Sequence, residues 1–113
     1  MVDFIKIGKN NICFIGLMGS GKSVIAKSLA NSFKLRYFDS DKEIEDKYNL
    51  TIGEIFNKYG EEYFRKIEEK ICIELLNNKL CVISLGGGSI LSKKVRYKMQ
   101  KNSYSIYLNT EIN

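Results

Sequence analysis

The sequence predicts an α/β domain in which helices alternate with the strands of a central parallel sheet. Three observations carry that expectation. Four short runs rich in apolar residues, "NICFIG" (11–16), "LRYFD" (35–39), "LCVISL" (80–85) and "YSIYL" (104–108), are distributed along the chain. The first and third are nearly continuous in apolar residues, which is how strands buried on both faces of a parallel sheet read. The segments between them carry helical spacing and no proline, the alternation a parallel sheet requires.

Taken in order, "NICFIG" is the first strand and ends on Gly16. A helix follows over Lys22 to Phe33, with Val24, Ile25, Ala26, Leu29, Ala30 and Phe33 as its apolar positions. "LRYFD" alternates and closes on Asp39, the second strand. "SDKEIEDKY" is polar and helical, with Ile44 and Tyr48 four apart. In "TIGEIFNKYG", Thr51 and Glu54 stand at capping-box spacing ahead of an apolar face of Ile55, Phe56 and Tyr59. "EEYFRKIEEKICIELLNN" is the longest helix, and Phe64, Ile67, Ile71 and Leu75 form one stripe along it. "LCVISL" is the third strand, "SKKVRYKMQ" a further helix and "YSIYL" the fourth strand.

At 113 residues, 44% hydrophobic and 27% charged, this is one small globular domain. The net charge is +5. Its lysines are spread among acids, which describes a solvated surface and argues against a nucleic-acid partner. Cys13, Cys72 and Cys81 are odd in number and lack metal-ligand spacing, so buried reduced thiols are expected. The chain has no histidine. That removes the usual general base and the Ser-His and Cys-His nucleophile pairs. The apolar runs are too short for a membrane span, and the N-terminus lacks a signal-peptide layout. A cytoplasmic protein with no membrane partner is the expectation.

"GLMGSGKS" is Gly16-x-x-x-x-Gly21-Lys22-Ser23, set between a strand and a helix as a P-loop must be. Its glycines let successive backbone N–H groups curl around an anion, and the helix behind points its positive end at the same place. Gly19, Ser20, Gly21, Lys22, Ser23 and Val24 are the candidate nucleotide-binding residues. Lys22 would reach the β- and γ-phosphates, and Ser23 would offer its hydroxyl to Mg²⁺.

"FDSD" puts Asp39 and Asp41 at the carboxyl end of the second strand, where open α/β sheets bind ligands. Asp39 would serve the metal, directly or through water. Asp41 would accept from a substrate hydroxyl or act as general base. The alternative is a helix cap, with Ser40 or Asp41 as the capping residue. Arg65 follows Phe64 on the longest helix. Alone it reads as an exposed arginine paired with Glu68 or Glu69. The triplet Gly86-Gly87-Gly88 follows the third strand, again at the carboxyl edge. It reads either as a flexible loop or as bare backbone against which a ligand packs.

Together "GLMGSGKS", "FDSD", "FRKIEE" and "GGG" resemble the shikimate kinases in order, spacing and element, from about Asn11 to Leu108. The resemblance implies a P-loop NTPase-type three-layer sandwich with strand order 2-3-1-4 and helices on both faces. It implies transfer of the γ-phosphoryl of ATP to the 3-hydroxyl of shikimate, in aromatic amino acid biosynthesis, with Mg²⁺ as cofactor. Lys22 and Asp41 would be catalytic, and Ser23 and Asp39 would hold the metal. Asp41, Arg65, Gly86, Gly87, Gly88, Phe56 and Phe64 would bind shikimate, with Arg65 on its carboxylate and the two phenylalanines as an apolar wall. Other P-loop small-molecule kinases, such as a gluconate kinase, and a non-catalytic nucleotide-binding module are the alternatives.

The resemblance further implies parts beyond the fourth strand. These are a lid with a phosphate-contacting arginine, a later carboxylate-binding arginine, a fifth strand and a last helix. The sequence ends five residues after "YSIYL". The expectation is a C-terminally truncated member, a single domain over 1–113 with four of the five strands. Without the lid arginine its rate would fall by orders of magnitude. It is expected to be a monomer, with self-association through the uncovered sheet edge as the alternative.

Overall fold

The structure, a computed structural model, describes residues 3–16 and 22–108. Gly19, Ser20, Gly21 and the side chains of Lys22 and Ser23 lie outside what it describes. The four strands are β1 (Asn11–Gly16), β2 (Arg36–Asp39), β3 (Cys81–Leu85) and β4 (Ser103–Leu108). They form one parallel sheet in the order β2-β3-β1-β4. Register runs Ile12↔Val82 between β1 and β3, Asn11↔Ser103 between β1 and β4, and Arg36↔Cys81 between β2 and β3. Every residue of the two central strands is buried. β2 and β4 are the edges, and Tyr104 and Tyr107 of β4 are exposed.

Helices cover both faces. α1 (Phe4–Ile7) and α2 (Lys22–Phe33) enclose a core of Phe4, Ile12, Phe14, Ala26, Ala30 and Val82. α3 (Ser40–Tyr48), α4 (Ile52–Tyr59), α5 (Glu61–Leu76) and α6 (Lys93–Asn102) cover the other face. There Ile44, Ile55, Phe64, Ile71 and Val95 pack with Ile15, Ile83 and Leu85 of the sheet. The stripe expected on α5 is buried throughout. The capping box also forms: Glu54 N donates to Thr51 Oγ1 at 3.1 Å, and Thr51 N donates to Glu54 Oε1 at 2.8 Å.

Three features depart from the expected pattern. α1 is a single turn, too short to leave a periodic signal. Asp3 caps it by accepting from Lys6 N at 3.0 Å, and Gly8 ends it in the left-handed region at φ 69°. In α2, Val24 and Ile25 are exposed, because Ala26 and Ala30 are the positions that face the sheet. The glycine triplet is an ordered structure rather than a loose loop: Gly87–Leu91 forms a 3₁₀ turn leading to α6.

Asn11 joins three elements from a fully buried position. Its Nδ2 donates to Leu76 O at 3.1 Å and Asn78 O at 2.9 Å, and its Oδ1 accepts from the Ser103 hydroxyl. Asn11→Leu keeps the volume and strands those partners. Stability is expected to fall by about 2 kcal/mol, read as a lower urea midpoint with an unchanged slope.

All three cysteines are buried free thiols. Burial pushes Cys72 up to about 12 and Cys81 up to about 11, from an ordinary 9.0. The folded state therefore holds these protons more tightly than the unfolded chain. The resulting stability is complete below pH 9 and is lost as pH rises from there towards 11 and 12. Between about pH 8 and about pH 10, unfolding free energy is expected to drop by about 1.4 kcal/mol per thiol. Cys72→Ala should flatten that drop, and an unchanged slope would refute the assignment.

Candidate active site

The site forms at the carboxyl ends of β2 and β3, where the chain leaves the sheet into α3 and into the glycine triplet. Asp39 is the last residue of β2 and lies in register with Ser84 of β3. It is also the cap of α3: its Oδ1 accepts from Asp41 N at 2.9 Å and Lys42 N at 3.3 Å. The capping role expected of Ser40 or Asp41 thus belongs to Asp39, whose extended backbone (φ −126°, ψ 120°) suits a capping residue. Tyr37 donates to the other oxygen of Asp39 at 3.4 Å.

With the cap assigned to Asp39, its two neighbours point different ways. Ser40 is buried and turns inward, where its Oγ accepts from Gly86 N at 2.9 Å. Asp41 is half-buried and lies over Gly86. A Cβ at Gly86 would stand 2.7 Å from Asp41 Oδ1 and 3.3 Å from Glu68 Oε2. The first distance is shorter than real Cβ contacts allow, so residue 86 must lack a side chain if Asp41 is to hold this position. The N–H of Gly86 is taken by Ser40. What Gly86 gives the site is space.

Gly88 does the same for Arg65. A Cβ there would lie 2.1 Å from Nη1, 2.6 Å from Cζ and 2.8 Å from Nη2. The guanidinium is held on its other sides as well. Nη1 donates to Glu68 Oε1 at 2.7 Å, and Nη2 is 3.6 Å from Glu61 Oε2. Phe56 and Phe64 stack with centroids 4.5 Å apart, and Arg65 Cζ sits 5.7 Å and 5.4 Å from their rings. Aromatic faces attract a cation and fix its plane. Phe64 itself is buried, and Phe56 is the more open half of the wall. Arg65 is a third exposed, and its Nε is buried without a hydrogen-bond partner.

Of the two acids weighed as partners for Arg65, Glu68 takes the role. Glu69 instead accepts from the Ser92 hydroxyl at 2.5 Å. Glu68 is only 5% exposed, and a carboxylate so deeply buried needs a cation beside it. Sequence reasoning treated it as a surface partner. The available signal was its place on the buried stripe of α5, one residue after Ile67. Ser84 was also overlooked. It is a polar residue inside the apolar strand "CVISL", and its buried hydroxyl has no hydrogen-bond partner.

The structure therefore brings Asp39, Asp41, Arg65, Phe56, Phe64, Gly86 and Gly88 to one end of the sheet, with Gly87 exposed between its neighbours. Val24 is exposed in the first turns of α2. Among the described residues, no group of three or more His, Cys, Asp or Glu converges as a metal site.

Comparison with known proteins identifies the family. A family model described as shikimate kinase matches residues 18–113. The shikimate kinase of Buchnera aphidicola subsp. Baizongia pistaciae is 43% identical over 104 residues, which cover 92% of this chain and 60% of the relative. That of Bartonella henselae is 41% identical over 101 residues, 89% of this chain and 48% of the relative. The solved shikimate kinase from Acinetobacter baumannii in complex with shikimate superposes with a TM-score of 0.87 at 37% identity. It covers 91% of this chain and 57% of that one. The enzyme from Aquifex aeolicus gives a TM-score of 0.83 at 32% identity over 90% of this chain and 61% of that one. The chain thus spans about half to three-fifths of the length of these relatives. On the family match and the parallel α/β sheet of P-loop type, this chain belongs to the shikimate kinase family.

Proposed function

We propose that the chain carries the phosphate loop and the acceptor site of a kinase that transfers the γ-phosphoryl of ATP to the 3-hydroxyl of shikimate. The observation that supports this most is the pairing of Asp41 and Arg65 on one glycine patch, over Gly86 and Gly88. A cyclic hydroxy acid needs a cation for its carboxylate and an acceptor for its hydroxyl, held a ring's width apart. The shikimate bound to the similar A. baumannii enzyme supports the same assignment.

In this reading the planar guanidinium of Arg65 takes the carboxylate of shikimate in bidentate fashion. Its buried, unpartnered Nε is a further donor for an arriving anion. Phe56 and Phe64 close the apolar side of the ring. Asp41 accepts from the 3-hydroxyl and takes its proton as that oxygen bonds to the γ-phosphorus, while the bond to the ADP oxygen breaks. Lys22, with the N–H groups of Gly19, Ser20 and Gly21, balances charge on the β- and γ-phosphates, and Val24 continues the helix behind them. Ser23 and Asp39 would hold Mg²⁺, which supplies charge neutralisation on the phosphates. The protein works in the cytoplasm, where ATP is supplied, as a monomeric single domain. Among the described residues no helix is long and apolar enough to cross a membrane.

A coupled ADP-release assay on this chain, with MgATP and with or without shikimate, tests the reading. ADP release is expected to depend on shikimate and to vanish in Lys22→Ala. It should fall by about a hundredfold or more in Asp41→Asn, the scale of a lost general base. ADP release indifferent to shikimate would sink the acceptor assignment. Gly88→Ala reads the Arg65 contact. Its Cβ would fall against Nη1, the atom that donates to buried Glu68, so stability should fall by about 1–3 kcal/mol. In the folded protein the shikimate KM should rise about tenfold, the scale of one lost charge-assisted contact.

A further inference from the structure

Beneath the glycine patch lies a cluster of small polar groups that the proposed reaction does not use. Ser40, Cys72 and Ser89 are fully buried, at 0%, 0% and 1% exposed. They come from the first turn of α3, from α5 and from the 3₁₀ turn after β3. Gly86 N donates to Ser40 Oγ at 2.9 Å. The Ser40 hydroxyl also lies near the Cys72 thiol. Cys72 Sγ donates to Ser89 Oγ at 3.4 Å. Ser89 N donates to Gly86 O at 3.0 Å, so both polar groups of the Gly86 backbone are held from this cluster.

Every member of the cluster is tied to a site residue. Ser40 stands between Asp39 and Asp41. Cys72 is one helical turn beyond Glu68. Ser89 follows Gly88. The β2–β3 ladder ends at Asp39 and Ser84, and α3 then turns away. The Ser40 hydroxyl supplies the acceptor that the lost strand no longer offers to Gly86. Satisfying buried polar groups would by itself explain one such bond. Here Gly86 is gripped at its N–H by Ser40 of α3 and at its C=O by Ser89 N, and Cys72 of α5 bonds Ser89, so the chain of contacts constrains the distances between three site-bearing segments as well. The thiol, held protonated by burial, keeps its hydrogen for Ser89 and puts no charge under Asp41 and Glu68.

We propose that Ser40 is a positioning residue of the acceptor site: by holding Gly86 N–H it sets how far Asp41 stands from the glycine patch, with Ser89 holding Gly86 O and Cys72 bracing Ser89. The ligand in this inference rests on the shikimate reading. The cluster itself rests on the fold.

The test compares Ser40→Ala, Ser40→Thr and Ser89→Ala in the whole chain, with Cys81→Ala as a buried control outside the cluster. Shikimate affinity is measured by calorimetry, and amide exchange of Gly86 by NMR. Ser40→Ala should weaken shikimate binding and speed Gly86 exchange, each by about tenfold, with MgATP affinity within about twofold of the original. Ser40→Thr restores the acceptor and should recover both. Ser89→Ala removes the hydroxyl that Cys72 braces, which loosens the turn holding Gly86 O, and should give the same pattern more weakly, which decides the matter if Ser40→Ala does not fold. Cys81→Ala should lose stability and keep both readings. Faster exchange with unchanged affinity would make the cluster a fold element only and overturn the proposal, as would equal loss of shikimate and MgATP binding. If the original chain binds no shikimate, the shikimate reading fails, and unchanged Gly86 exchange in Ser40→Ala would separately dispose of the cluster.

Discussion

Two missing side chains govern this end of the molecule. Asp41 from α3 and Arg65 and Glu68 from α5 converge over the carboxyl end of β3 because residues 86 and 88 carry no Cβ. The protein's own side chains occupy that space, at 2.7 Å from the Gly86 position and 2.1 Å from the Gly88 position. Larger residues would force the carboxylate and the guanidinium outward, and the acceptor site would lose both of its charged walls at once. The constraint is steric, so it acts before any ligand arrives.

Electrostatics then separates the contacts that matter from those that do not. The Arg65–Glu68 pair joins a 5% exposed carboxylate to a guanidinium backed by two rings. Removing Arg65 takes the paired cation from a buried carboxylate, a cost of about 3 kcal/mol, whereas removing Glu68 leaves a guanidinium that is a third exposed and still beside Glu61. The Arg65–Glu61 contact is longer, at 3.6 Å, and Glu61 is 68% exposed. Such a pair contributes about 1 kcal/mol at most. Glu68 therefore orients the guanidinium, and Glu61 only borders it. A carboxylate ligand at Arg65 would add to a cation already fixed in plane, so little side-chain entropy remains to be lost on binding.

Much of this was legible in the residues. "NICFIG" and "LCVISL" announced strands buried on both faces, and the sheet buries Asn11–Gly16 and Cys81–Leu85 whole, with Leu80 left outside the strand and exposed. Thr51 and Glu54 announced a capping box that forms. What stayed illegible depends on tertiary direction. The spacing of "FDSD" cannot tell which of three polar residues caps α3, since each is competent and the choice falls to the backbone of Asp39. Glu68 read as solvated because charged residues on helices normally are. Only the packing of α5 against β3 shows that it points inward. The triplet read as a floor for a ligand ring. Its glycines at 86 and 88 first accommodate Asp41 and Arg65, which no sequence period encodes.

The chain thus uses glycine for two different physical ends. In the proposed reading, the spacing of "GLMGSGKS" would serve backbone donors, since N–H groups must turn inward together around an anion. In "SLGGGS" the first glycine is already engaged at both backbone groups: its N–H goes to Ser40 and its carbonyl receives Ser89 N–H. There the absence of a side chain is itself the function, and the polar groups beneath keep the bare backbone rigid. A flexible patch would let Asp41 and Arg65 drift apart, and reacting groups displaced by even an ångström lose much of their advantage. Space for side chains above and the hydrogen bonds from Ser40 and Ser89 that grip Gly86 below are therefore two halves of one requirement at the end of β3.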